Sequence, residues 1–211
     1  MQDHSRLITA AAREALCPFG CFQKGRSRIW LDDHRWWLGV IEFQPSGFSK
    51  GSYLNVSAHW LWYEKNHLSV DYGDRVESFH PFENIDQFGP VAAHLANRAR
   101  EALLILRSRF ADIKATARVL KDTDRSSIWY NYHAGIAAGL VGDVETANVR
   151  LGLVLEEKPS HDWIRELHKR VYGLSEALRD TVKFRSDVAN IVRRSRALHK
   201  LPEAGSLEFA P

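Results

Sequence analysis

The chain is poor in cysteine, with only Cys17 and Cys21 among 211 residues. They lie four apart at the end of the first helical pattern, without the two further nearby ligands that a structural zinc site needs, so they read as two reduced, small apolar side chains near a helix end. Long apolar runs are missing too. No stretch approaches the roughly 20 consecutive apolar residues that span a bilayer. The opening MQDHSRLITAAAREAL has no basic segment followed by an uninterrupted apolar one, so a cytoplasmic protein with no membrane contact is expected. Also absent is any catalytic, metal or phosphate motif of high specificity, and no cofactor is expected. The loop Gln44-Pro45-Ser46-Gly47-Phe48-Ser49-Lys50-Gly51 holds glycines, serines and a lysine. It lacks the order Gly-x-x-x-x-Gly-Lys-[Ser/Thr] and leads into a strand pattern, so no helix N-terminus backs a phosphate.

What is present is ordinary for a globular protein: 45% hydrophobic and 26% charged residues, in a length that suits one core or two small ones. The charge is unevenly divided. Residues 1–86 carry 9 Lys/Arg against 11 Asp/Glu, net −2, which leaves 20 against 15, net +5, for residues 87–211. The total of +3 permits contact with polyanions but is not the dense basic footprint of a dedicated nucleic-acid module.

Five of the seven tryptophans, Trp30, Trp36, Trp37, Trp60 and Trp62, fall in one stretch with the period-two texture of β-hairpins. Before it, Leu7, Ile8, Ala11, Ala12 and Leu16 share one side of a helix over 3–16, closed by Pro18 and Gly20. The spacing then predicts strands near 21–31, 35–44, 52–63, 67–72 and 75–80, with turns at Asp32-Asp33-His34 and Tyr72-Gly73-Asp74. In the third strand Leu54, Val56, Ala58, Trp60 and Trp62 take one side. Tyr53, Asn55, Ser57, His59 and Tyr63 take the other, a row polar enough for solvent or a ligand. From about Ile85 the period is helical. Phe88, Val91, Leu95, Ala99, Leu103, Leu106, Phe110, Ile113, Ala117 and Leu120 recur at three- and four-residue steps, predicting one long amphipathic helix. Asp122 to Ser127 offers turn and cap chemistry before further helices at about 127–140, 143–156, 161–177 and 179–199. Gly135, Ala138, Gly139, Ala147 and Leu151 suit either an ordinary α-hairpin or one tetratricopeptide-like unit, and no second copy follows at a 34-residue offset. The expected fold is α+β: an N-terminal helix with an antiparallel meander over 1–84, a helical region over 85–201, and a frayed tail over 202–211.

Three segments of the N-terminal block carry a resemblance. They are Lys24-Gly25-Arg26, Val40-Ile41-Glu42-Phe43-Gln44-Pro45-Ser46 and Tyr53-Leu54-Asn55-Val56. Over about residues 1–80 the chain resembles a family of uncharacterised bacterial domains of unknown function. That resemblance implies a helix packed on an antiparallel sheet and implies no activity.

Two constellations compete for a functional reading. Asp32, Asp33 and His34, with Glu42, have the side chains for a metal-dependent hydrolase or nuclease-like enzyme, although Asp is also a preferred turn residue. Glu42, Gln44, Asn55 and His59 fall on one face if the second and third strands pair, and Arg26 and Arg28, two apart, would join them with Lys24 from a neighbouring strand. Arginines, amides and aromatics on a sheet suit an anionic or carbonyl-bearing ligand. The favoured expectation is a non-catalytic binding or interaction module using Arg26, Arg28, Gln44, Asn55 and His59, its partner an unknown protein or a small anion. A further alternative is nucleic-acid contact through the last helix, where Lys183, Arg185, Arg193, Arg194, Arg196 and Lys200 cluster. His133, His161 and His168 have no spacing suited to a shared metal.

Overall fold

A computed structural model describes residues 3–123, 127–207 and 209. The chain is α+β: helix α1 (Asp3–Leu16) precedes a five-stranded antiparallel sheet, and among the described residues six further α-helices follow. The strands are β1 (Phe22–Gln23), β2 (Ile29–Asp33), β3 (Trp37–Glu42), β4 (Gly51–Trp60) and β5 (Tyr72–Pro81). They lie side by side in sequence order, which makes β5 an edge. The helices are α2 (Ile85–Arg109), α3 (Ile113–Asp122), α4 (Ile128–Val141), α5 (Val144–Glu156), α6 (Asp162–Ala177) and α7 (Thr181–Leu198). Two compact units result. One holds the residues up to His59 together with Leu68–Ser108; the other holds Trp60–His67 with the described residues from Arg109 onward. No helix among the described residues is long and apolar enough to cross a membrane.

In the sheet unit, α1 buries His4, Ile8, Ala12 and Leu16 along one i, i+4 row. Its chain direction reverses through a 3-10 turn at Cys17–Phe19 that closes on Gly20 in the left-handed region, φ 83°. The expected strand over 21–31 is two strands, because Gly25 at φ 59° folds the chain back and Lys24 N–H donates to the Ile29 carbonyl at 2.9 Å. Arg26 and Arg28 therefore sit in this turn rather than two apart along a strand. The expected turn at Asp32-Asp33-His34 is displaced as well. Asp32 and Asp33 pair with Gly39 and Leu38 as strand residues, and the reversal occurs at Arg35, whose φ is 69° and whose N–H is held by Asp33 Oδ1 at 2.9 Å. Tyr72-Gly73-Asp74 does not turn either, and β5 is one ten-residue strand. Gly73, at φ 133°, lies so close to β4 that a Cβ there would be 2.6 Å from Ser57 Cα.

Helix α2 buries Phe88, Leu95, Ala99 and Leu103. Leu103 fills the space left by Gly39 on β3, where a Cβ would approach its Cδ1 to 2.7 Å. One turn further on, Arg107 grips Asp32, with Nε to Oδ2 at 2.8 Å and Nη2 to Oδ1 at 2.6 Å, and also donates to the Phe19 carbonyl at 2.6 Å. His34 Nε2 lies 2.5 Å from Asp32 Oδ2, and its ring stacks on Trp37 at 4.3 Å. Burial alone raises the affinity of the Asp32 carboxyl for its proton, but the hydrogen bonds from His34 and Arg107 outweigh it and hold the group below the ordinary carboxylate range. Nearby, burial pushes the Cys21 thiol up to about 12, so it stays protonated and inert.

The expected single long helix breaks at residues 110–112. Asp112 turns its carboxylate back to accept Ala115 N–H at 2.7 Å and starts α3 as an N-cap. Periodicity misses the break because the apolar stripe continues through it. In the helical unit Trp60 and Trp62 stack at 5.0 Å, and Phe110 meets Trp60 edge-on at 4.9 Å. Trp62 Nε1 donates to His133 Nδ1 at 2.9 Å, and Tyr132 Oη donates to the Trp62 carbonyl at 3.0 Å. Helices α4 and α5 form a hairpin through Gly142, φ 83°, and the Asp143 N-cap, with Gly135 admitting Leu151. Ser127 caps α4 by accepting Tyr130 N–H at 3.1 Å; residues 124–126 of the expected turn, and residues 208, 210 and 211 of the expected tail, lie outside the described residues.

Leu54, Val56, Ala58, Trp60 and Trp62 are buried, as the strand pattern predicts. His59 is also fully buried, against expectation: its Nδ1 lies 2.9 Å from Ser69 Oγ and 3.2 Å from Ser69 N, with Asp71 Oδ2 at 3.5 Å. Ser69 and Asp71, just before β5, cover His59, and Ser57 of the same row is buried as well.

Three substitutions probe this packing. Trp60→Ala should cost about 3–5 kcal/mol in a denaturant melt. His59→Ala should also destabilise, by about 1–3 kcal/mol, because Ser69 N–H loses its acceptor; an unchanged midpoint would place the imidazole outside the core. Arg107→Ala leaves the Asp32 carboxylate buried without its cation and should cost on the order of 3 kcal/mol. The Asp32 carboxyl titrates lower folded than unfolded, so its contribution is complete above the unfolded value of about 3.9 and is lost as pH falls through the lower folded value. Unfolding free energies measured from pH 6 downward should therefore fall less steeply in Arg107→Ala than in the parent.

Candidate functional site

Of the residues singled out by sequence, Glu42, Gln44 and Asn55 do converge. Asn55 Nδ2 donates to Glu42 Oε2 at 3.1 Å and to Gln44 Oε1 at 2.9 Å. The fourth member is Arg75 on β5, absent from the sequence reading because it fell at the start of a misplaced short strand. Its Nε donates to Asn55 Oδ1 at 3.3 Å and its Nη2 to Gln44 Oε1 at 3.1 Å, while the guanidinium lies over the Tyr53 ring at 4.2 Å. These groups satisfy one another across three strands and act as a cross-strand tie. His59, buried further along β4, is not part of the network.

Arg26 and Arg28 belong to a different feature. A cleft of about 690 Å³ opens between the first turn of α1, the β1–β2 turn and the loop Pro45–Lys50. Arg26, Arg28 and Lys50 line it, with Glu42 as the only carboxylate among the described residues of the lining, and the hydroxyls of Ser5, Ser27, Ser46 and Ser49 add to its polar wall. Arg28 is the fixed cation. Its Nε and Nη2 donate to Ser5 Oγ at 3.2 and 2.6 Å, and its Nη1 donates to the Gly51 carbonyl at 3.1 Å, which ties α1 to the start of β4. Arg26 and Lys50 are exposed.

His4, which sequence reasoning passed over, also lines the cleft. Its position four residues before Ile8 on the apolar row was the available signal. The ring packs against Phe82 at 5.4 Å and Phe88 at 6.4 Å, and Nδ1 is buried without a hydrogen-bond partner among the described residues. Burial, reinforced by Arg28 and Lys50, lowers the pKa of His4, so the imidazole is neutral near pH 7. The cleft thus carries two formal positive charges in excess, from three cations and one carboxylate.

The carboxylate set proposed for metal-dependent chemistry does not assemble. Asp32 is occupied by Arg107 and His34, Asp33 holds the Arg35 backbone, and Glu42 faces Asn55. Among the described residues one group of three could hold an ion, and it lies on β5 and α2 rather than here. The basic helix α7 also differs from an open cationic face. Arg196 is buried with Nε and Nη2 on the Pro202 carbonyl at 3.0 and 2.7 Å, Arg185 donates to the Leu140 carbonyl at 2.9 Å, Arg194 pairs with Glu64, and Lys183 pairs with Asp187 at 2.5 Å. His168 Nε2 lies 2.9 Å from the Val154 carbonyl and His133 Nδ1 accepts from Trp62 Nε1, and neither histidine belongs to the group of three that could hold an ion.

No family model, curated protein or solved structure matches the chain.

Proposed function

We propose that the protein is a non-catalytic binding module that takes an anionic group, a phosphate or carboxylate on a small molecule or a protein, into the cleft formed by α1, the β1–β2 turn and the loop Pro45–Lys50. The single observation that carries this reading is the placement of Arg26, Arg28 and Lys50 around a cleft whose lining offers one carboxylate. A guanidinium presents parallel donors that match an anion's oxygens, and holding it in advance lowers the entropy lost on binding. Arg28 is held in this way by Ser5 and the Gly51 carbonyl. His4 adds an adaptable element: burial chiefly lowers its pKa, and an anion in the cleft would offset the further lowering by Arg28 and Lys50. A bacterial setting belongs to the same proposal and is drawn from the resemblance of residues 1–80. Nucleic-acid binding through α7 is the less favoured reading, because several of its cations already hold internal partners.

The test uses inorganic pyrophosphate as probe. Arg26→Ala combined with Lys50→Ala should weaken its binding by calorimetry about tenfold or more while leaving the melting temperature nearly unchanged, because both side chains are exposed. Equal affinities in parent and double variant contradict the reading. Arg28→Ala should lower stability as well as binding, because its hydrogen bonds join α1 to β4. Binding should also tighten as pH falls through the His4 titration, since the bound anion favours the imidazolium and proton uptake is then linked to binding. Histidine chemical shifts followed with and without pyrophosphate report this: the His4 midpoint should rise on addition of the anion.

A further inference from the structure

We propose that Glu77, His80 and His94 form a binding site for a divalent transition metal of the zinc class, at the edge strand β5 and the facing side of α2. One ligand atom from each of the three lies within 4.8 Å of the others. His80 Nε2 is 3.4 Å from Glu77 Oε2, and His94 Nε2 is 3.7 Å from Glu77 Oε1. Tetrahedral zinc, bound to nitrogen and oxygen at about 2.0–2.1 Å, holds its ligand atoms roughly 3.3 Å apart. Each imidazole thus lies within a few tenths of an ångström of that spacing from one oxygen of Glu77, and because the two contacts run to different oxygens, side-chain rotation must bring both rings onto one ion.

The backbone supplies the reason for this convergence. Residues i and i+3 of a regular strand point to opposite faces, so Glu77 and His80 should diverge. Instead β5 is irregular here: His80 pairs with Ser52 and Glu77 with Leu54, so three steps of β5 span two steps of β4. That β-bulge inserts one residue and returns His80 to the face of Glu77, a known way for an edge strand to re-aim a side chain. The third ligand comes from α2, fourteen positions after His80. The pattern Glu-x-x-His followed by a distant His carries no strand-period signal, so it was invisible to a reading by alternation.

The surroundings orient the carboxylate and also moderate its affinity. Arg98 Nε donates to Glu77 Oε1 at 2.9 Å, and Arg98 Nη1 to Glu101 Oε2 at 2.6 Å. The guanidinium orients the carboxylate through Oε1, the oxygen nearer His94, and leaves Oε2 toward His80, while Glu101 offsets part of its charge. A cation this close still opposes a metal ion, so removal of its charge should tighten binding. The side chains are 21%, 28% and 52% exposed for Glu77, His80 and His94. Three protein ligands at the surface leave positions open to water or to an added ligand, unlike a closed four-ligand structural site. The site shares no residue with the basic cleft and does not depend on it.

The test titrates the chain with Zn²⁺ by calorimetry and with Co²⁺ by visible absorption, with His67→Ala as a control at an exposed histidine outside the cluster. One equivalent should bind, and Co²⁺ should show the intense bands of a tetrahedral or five-coordinate ion. His80→Ala and His94→Ala should each weaken binding at least tenfold and lose those bands; His67→Ala should change neither. Arg98→Gln should bind more tightly than the parent. Zn²⁺ should raise the melting temperature of the parent, by linking β5 to α2, but not that of His94→Ala. His94→Ala truncates a half-exposed helix side chain, and its melting temperature in chelator reports whether the fold is intact. Stoichiometric binding that persists in both histidine variants, or no binding to the parent at millimolar Zn²⁺, overturns the proposal.

Discussion

The sheet unit depends on one buried carboxylate. Asp32 on β2 accepts both arms of Arg107 from α2 and the imidazole of His34, and the same guanidinium reaches the Phe19 carbonyl in the turn that follows α1. One charge pair thereby fixes the sheet against α2 and sets where the chain emerges from α1 into β1. Desolvating both ions is costly, and such a pair specifies geometry more than it adds stability. Its value lies in registration. With Leu103 seated over Gly39, the helix has one position in which apolar packing and charge pairing agree.

The basic cleft inherits that frame. Helix α1 reaches the cleft through its first turn, where Ser5 receives Arg28 and His4 enters the aromatic pair Phe82 and Phe88. Gly25 turns the chain so that Arg26 and Arg28 point into a concavity instead of lying along a flat strand. The neighbouring Gln44–Asn55–Arg75 network forms its own hydrogen bonds and meets the cleft only through Glu42, which belongs to both. A saturated network stiffens a sheet. An array of cations around an open cleft is what remains available to a ligand.

Much of the fold was legible because local chemistry and tertiary packing agree. The bounds of α1 follow from its i, i+4 apolar row and Pro18; the hairpin of α4 and α5 follows from Gly142 and Asp143; the buried row of β4 follows from simple alternation. The failures have particular causes. Asp32 looked like a turn residue because its partner lies 75 positions away. Asp112 interrupts an apolar stripe that periodicity alone carries straight through. His59 is polar and sits in a polar row, yet Ser69 and Asp71 fold over it. The candidate site was half legible: Arg26 and Arg28 were found by type, but their cleft depends on a left-handed glycine and a distant loop. The bulge in β5 that gathers Glu77 and His80 has no signature in composition or period.

The central claim is that anions enter the cleft lined by Arg26, Arg28 and Lys50, and side-chain arginine spectra test it most directly. On titration with inorganic phosphate, the Nε–H resonances of Arg26 and Arg28 should shift together and saturably with the backbone amides of residues 46–50, while those of Arg185, Arg193 and Arg194 on α7 stay in place. Shifts confined to the α7 arginines, with residues 46–50 unmoved, would contradict the account.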